Sequence, residues 1–146
     1  MSDDDKMQVE EVLEALNKAL TLQYRSALQY TVNSGSVFGL EYQAFGDKMH
    51  AFAQDELEDA RRLVEKITAL GADPTVEVAP LTWSGDSRKA VERLIETETE
   101  AIDALKCVIP PSGNEGRSEA LEHLMEHLIL RKQNQVDFLL RALRRT

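Results

Sequence analysis

Residues 71–86 read GADPTVEVAPLTWSGD, a stretch with two glycines, two prolines and no helical periodicity, set between two long amphipathic runs. It opens on a Gly stop followed closely by Pro, the usual end of a helix. Its sixteen residues, extended at about 3.3 Å each, cover some 50 Å. A helix of about thirty residues is about 45 Å long, so this connection is long enough to cross a helical bundle from end to end.

Four periodic runs surround it. The first spans about Gln8 to Asn33 and ends at NSGS; the second spans about Leu40 to Leu70. The third spans about Ser87 to Ile109, halted by Pro110 and Pro111, and the fourth runs from about Ser118 to the end. Runs one and two are joined by a few residues, as are three and four, so each pair predicts an antiparallel hairpin. The expected fold is all-α: a four-helix bundle of two hairpins joined by one long crossover, occupying 8–146 after an acidic, disordered N-terminus at 1–7. Leu81 and Trp83 are expected to pack the crossover onto the bundle or into a dimer partner.

The 146 residues suffice for one core, 42% of them hydrophobic and 29% charged. A formal charge of -9 argues against nucleic acid and against an anionic membrane surface, because both are bound through clustered Lys and Arg. The one basic cluster, Arg141, Arg144 and Arg145, falls where it compensates the dipole of the last helix. Cys107 is the single cysteine, expected as a small apolar filler in a reducing compartment. The start, MSDDDKMQVEE, has no apolar leader and no apolar run approaches a membrane span, so a cytoplasmic, soluble protein is expected.

Each helical stripe is broken by polar residues near its middle. In the first, Val9, Leu13, Leu16, Leu20, Ala27 and Tyr30 keep a 4–3 alternation with Gln23 in one slot. In the second, Phe45, Met49, Phe52, Leu63, Ile67 and Leu70 are interrupted by Glu56 and by Asp59 or Ala60. In the third, Val91, Ile95, Ile102, Leu105 and Ile109 leave a slot for Glu98. In the fourth, LILRKQNQVDFLL (128–140) puts Lys132 and Gln135 between Leu128 and Leu139. Antiparallel packing brings these mid-helix positions to one level, and bundles build ligand and metal sites in this way.

LNKALTLQYRSALQY (16–30) and DELEDARRLVEKITALGADPT (55–75) resemble the ferritin-like superfamily, specifically its bacterioferritin-like branch, over nearly the whole chain. The resemblance implies two irons held by one Glu on the first helix, Glu-x-x-His on the second, one Glu on the third and Glu-x-x-His on the fourth. Carried onto this chain, those positions hold Gln23, Glu56 with Asp59, Glu98, and Lys132 with Gln135. Only Glu56 and Glu98 match. The haem-ligating methionine of that branch corresponds to Leu57, and the nearby Met49 lies on the core stripe, so haem is not expected.

Two ferrous ions need about four carboxylates for charge balance. Here Glu56, Asp59 and Glu98 share the level with Lys132, whose ammonium ligates nothing while protonated and repels cations. The expectation is a degenerate di-iron site in which Lys132 bridges Glu56 and Glu98, Asp59 accepts a further bond, and Gln23 and Gln135 act as neutral connectors. Ferroxidase activity is not expected, because Gln23, Asp59, Lys132 and Gln135 replace ligands. The leading reading is a non-catalytic structural or regulatory relative of iron-storage proteins; the alternative is a single divalent metal, such as iron, at Glu56, Asp59 and Glu98. Chemistry at a desolvated lysine is disfavoured in an anionic setting. His123 and His127, four apart beside Glu126, have metal-binding spacing, but exposed or interface histidines are the simpler reading. The resemblance further implies a homo-oligomer, expected as an antiparallel dimer through the first two helices, with co-assembly with an active ferritin or a protein shell as further partners. The chain stops without the fifth helix of cage-forming relatives, which argues against a 24-subunit cage.

Overall fold

The computed structural model describes residues 6–144. Its four long helices are α1 (Val9–Ser36), α2 (Phe45–Ala69), α3 (Ser87–Lys106) and α4 (Gly116–Leu143), with short 3-10 turns at Leu40–Tyr42 and Pro110–Ser112. All regular structure among the described residues is helical, as the four periodic runs predict. Most of the segment expected to be disordered, 1–7, lies outside the described residues; at its edge Met7 is buried and its N–H donates to Glu115 Oε2 at 3.0 Å. No helix among the described residues is long and apolar enough to cross a membrane.

Element boundaries differ from the sequence reading for local reasons. α1 runs through NSGS because Ser34 and Ser36 hydroxyls bond back to the carbonyls of Thr31 and Val32 at 2.8 and 2.7 Å, so these serines add to the last turn instead of breaking it. Residues 40–42 split from α2 as a separate turn, because the chain reverses there and seats Tyr42 against Phe45, ring centroids 5.8 Å apart. α3 stops at Lys106, since Pro110 and Pro111 have no N–H to offer the carbonyls of residues 106 and 107. Its start is fixed by Asp86, whose carboxylate accepts from the Lys89 N–H at 3.1 Å.

The 71–86 crossover runs along α1. Asn17 Oδ1 accepts from the Thr75 N–H at 2.8 Å, Tyr24 donates to the Thr75 carbonyl at 3.0 Å, and the Ala79 N–H reaches the Thr21 carbonyl at 3.2 Å. Further on, the Gln29 amide takes both main-chain groups of Thr82, at 2.9 and 3.0 Å. Polar side chains of α1 thus satisfy an extended backbone that has no strand partner. Trp83 is 65% and Leu81 42% exposed, so these two do not pack the crossover onto the bundle; Ala79 is its buried residue. Cys107 is exposed rather than a core filler, because it lies just beyond the end of α3 and its neighbour Val108 takes the buried position.

Two apolar clusters make up the core. One holds Leu16, Leu20, Leu63, Ile67, Leu105, Leu121 and Met125; the other holds Tyr30, Met49, Phe52, Val91, Leu94 and Leu139. On every helix the first cluster lies on one side of the mid-helix polar residues and the second on the other. The core is therefore two apolar blocks separated by a polar layer.

Candidate functional site

Burial of the polar layer is nearly complete: Gln23, Glu56, Asp59, Glu98, Lys132 and Gln135 are each at most 2% exposed. Charged groups at such depth are stable only when paired and hydrogen-bonded. Lys132 meets that condition fully. Its Nζ lies 2.6 Å from Glu56 Oε2, 3.1 Å from Glu98 Oε2 and 3.1 Å from Ser26 Oγ, which gives three acceptors for three ammonium protons. The ladder of contacts joins α4 to α2, α3 and α1 at one level.

Glu98 is bonded at both oxygens, since Ser26 Oγ donates to Oε1 at 2.5 Å while Oε2 faces Lys132. Gln23 donates from Nε2 to Glu56 Oε2 by a short contact, and to the Glu56 carbonyl at 2.8 Å. The layer retains unpartnered polar groups: the acceptors Glu56 Oε1, both Asp59 oxygens and the side-chain carbonyls of Gln23 and Gln135, together with the Gln135 Nε2 donor and the Tyr30 hydroxyl, have no hydrogen-bond partner among the described residues.

Electrostatics follow from this arrangement. Burial pushes the Glu98 carboxyl up, and the neighbouring Glu56 charge adds to that, while Lys132 opposes it. For Lys132 burial pulls downward, but Glu56 and Glu98 together outweigh it and the ammonium is held above its ordinary range. Lys132 is accordingly a fixed cation at any physiological pH. Burial raises Asp59 to about 6, against the attraction of Arg131. Tyr30 is also pushed up, by burial and then by the Glu98 and Glu56 charges.

The geometry departs from the sequence expectation at two residues. Asp59 accepts no bond from Lys132; the third ammonium proton goes to Ser26, and the cation nearest Asp59 is Arg131, with Nε 3.5 Å from Oδ2. Gln135 connects nothing, for its amide is unpartnered. Sequence reasoning missed Ser26 and Arg131. Ser26 stands three residues after Gln23, within one turn of the same face, but a hydroxyl beside Ala27 does not read as a break in an apolar stripe. Arg131 adjoins Lys132, and at 26% side-chain exposure it reaches inward from the surface.

The remaining candidates lie on the surface. His123 contacts Glu119 at 3.6 Å and Glu126 at 3.9 Å, whereas His127 sits 3.2 Å from Arg131 Nη2. These two histidines have separate partners. No group of three or more His, Cys, Asp or Glu residues among the described ones is arranged to hold a metal ion. Met49 is fully buried in the apolar core, while Leu57 faces outward at 64% exposure.

Residues 13–146 match the family model described as ferritin-like domain. Over 93 residues, 64% of this chain, the sequence is 29% identical to a bacterioferritin of Desulfovibrio desulfuricans; the match takes in 50% of that protein, so the chain spans about half the length of this curated relative. Among solved structures, a ferritin-like diiron-carboxylate protein from Bacillus anthracis is 28% identical, with a TM-score of 0.87 over 99% of this chain and 100% of the other. Bacterioferritin from Rhodobacter capsulatus, solved with a metal-free dinuclear site and haem iron, is 21% identical, with a TM-score of 0.82 over 92% and 84% of the two chains. A dodecameric thioferritin from Bacteroides fragilis is 17% identical, with a TM-score of 0.85 over 94% and 87%. The likeness to the last two concerns the fold alone.

Proposed function

This chain belongs to the ferritin-like family, and from that premise we propose that it is a relative of the iron-storage proteins in which an ammonium takes the place of the metal pair, leaving a structural or regulatory part in iron homeostasis. The observation that carries this reading is the position of Lys132 Nζ between Glu56 and Glu98, at 2.6 and 3.1 Å. These are the two residues that match the family's iron ligands. A di-iron centre does not fit this donor set: an ammonium already lies between the two matching carboxylates and offsets one of their two charges, and Gln23 and Gln135 stand where a carboxylate and an imidazole are needed.

Ferrous iron titrated under oxygen, read by the rate of ferric absorbance, tests the proposal. The expected rate equals that of iron in buffer. Rapid oxidation of two irons per chain would overturn it.

One observation favours a second reading, a single divalent cation at Glu56, Asp59 and Glu98. Glu56 Oε1 and both Asp59 oxygens lack donors, leaving three acceptors for a hard ion once Lys132 swings away. Metal content of protein purified without chelators separates the two, with one ion per chain as the mark of the second.

For assembly we propose a homodimer through α1 and α2. Support comes from the apolar surface there: Leu28, Leu57, Val76 and Val78 are 44 to 86% exposed and line one shallow cavity with Tyr24 and Ala27. Co-assembly with an active ferritin or a shell protein belongs to the same reading, as does a cytoplasmic setting.

A further inference from the structure

A cavity of about 580 Å³ opens between α2 and α4, on the flank of the buried cluster. Its walls include Lys48 and Phe52 from α2 and Arg131, Gln135, Phe138 and Arg141 from α4. That volume is in the range of small organic ligands. In a chain of net charge -9, three cations converging on one cavity are notable for their sign.

The bland account explains only part of this. Arg141 lies in the last turn of α4, where a cation compensates the helix dipole. Lys48, however, is in the first turn of α2, the end where a cation is disfavoured. Among the described residues neither has a carboxylate partner. Lys48 instead stands over Phe52 and Phe138, 5.7 and 5.9 Å from their centroids. The two rings meet edge to face at 5.5 Å. On the inner wall Gln135 is 2% exposed with neither end of its amide bonded, which is costly in the absence of a ligand or a rotation that brings one.

Arg131 contributes less free charge, because Asp55 and Asp59 share it at 3.4 and 3.5 Å. Asp55 and Asp137 also line the cavity, so a second negative charge on a ligand would meet two carboxylates. We propose that this cavity binds a small aromatic monocarboxylate, its charge held between Lys48 and Arg141, its ring against Phe52 and Phe138, and its inner edge toward the Gln135 amide. The site borders the buried layer at Gln135, and through Arg131 at Asp59, but includes none of Lys132, Glu56 and Glu98, so its failure leaves the reading of those three contacts untouched.

Benzoate is a suitable probe, titrated into the full chain and followed by backbone amide shifts. The expected result is saturable shifts confined to Lys48, Phe52 and residues 131–141. Lys48→Gln and Arg141→Gln should each weaken binding roughly five- to tenfold while the thermal midpoint is unchanged, as for substitutions of exposed side chains without a carboxylate partner. Benzyl alcohol, the same ring without the charge, should bind at least as much more weakly, and inorganic phosphate should not compete. The proposal is overturned by an absence of saturable shifts, by equal binding of benzyl alcohol, by competition from phosphate, or by two charge variants that bind benzoate like the parent.

Discussion

Lys132 and Glu56 face each other across the bundle interior, Nζ to Oε2 at 2.6 Å, with side chains 1% and 0% exposed. Neither charge can be hydrated in place, so each depends on the other. Removing the lysine leaves Glu56 and Glu98 buried with no cation between them. Lys132→Ala should therefore destabilise the fold by about 3–5 kcal/mol, as for a broken buried pair. Urea unfolding followed by helical circular dichroism measures this; a loss under about 1 kcal/mol would contradict the pairing. Sign matters for pH: Lys132 is raised in the fold, so its contribution is complete below its unfolded pKa near 10.5 and fades only as pH climbs through the folded value.

Ser26 is the smallest member of the layer and joins two others, accepting from Lys132 at 3.1 Å and donating to Glu98 at 2.5 Å. Ser26→Ala removes a buried hydroxyl with two charged partners, besides the Leu22 carbonyl at 3.1 Å. A cost of about 1.5–3 kcal/mol is expected. The same variant takes a donor from Glu98, so the onset of its ionisation, followed by carboxyl carbon NMR, should move upward. An unchanged Glu98 titration would mean that this contact is not formed in solution.

The bundle was legible because it rests on periodicity and loop length. Apolar residues recur on one face of each run, and only the 71–86 segment is long enough to span the bundle. The polar level was legible for the same reason, since Gln23, Glu56, Glu98 and Lys132 each break an apolar stripe. Partner choice was not legible. Asp59 and Ser26 lie within reach of the same level, and which of them takes the third proton of Lys132 depends on side-chain direction across helices. The exposure of Trp83 on the single chain was not legible, because apolar character alone does not fix which surface a side chain meets, whereas the crossover is held to the bundle by the amides and hydroxyls of Asn17, Tyr24 and Gln29.

Asp59 supplies a pH dependence of opposite direction. Burial raises its carboxyl from 3.8 to about 6. The folded state then binds more protons than the unfolded one between those values, so stability falls as pH rises through the window and stays lower above it. Asp59→Asn should stabilise the protein by about 1–2 kcal/mol at pH 7, taking roughly 1.4 kcal/mol per unit and discounting for solvent screening, the Arg131 attraction being already contained in the net shift. Below about pH 4 the gain should vanish. Denaturation midpoints at pH 4, 5.5 and 7 check this, and a variant less stable at pH 7 would show that the Arg131 pair dominates.

The apolar α1–α2 face gives a test of assembly. Leu57 is 64% exposed at its centre, and a carboxylate there would be desolvated by a partner copy. Leu57→Asp should halve the particle mass in light scattering while leaving helical content unchanged. A parent protein that is already monomeric, or a variant of unaltered mass, would remove this face from the interface.

The layer also predicts what restoring the family's ligands would do. Gln23→Glu, Asp59→His, Lys132→Glu and Gln135→His together give four carboxylates and two imidazoles on the existing backbone. Without metal, four buried carboxylates lacking a cation should make this variant much less stable than the parent. Ferrous or zinc ions should reverse that loss, because a ligand that binds only the folded state stabilises it in proportion to the logarithm of its concentration over Kd. The thermal midpoint should thus rise steeply with added metal in the fourfold variant and stay flat in the parent. Retaining Lys132 while changing the other three should abolish the rise, since the ammonium keeps the metal out by charge. A threefold variant that binds two metals with Lys132 in place would show that this lysine moves aside at little cost, and that its contact with Glu56 and Glu98 does not exclude a metal pair.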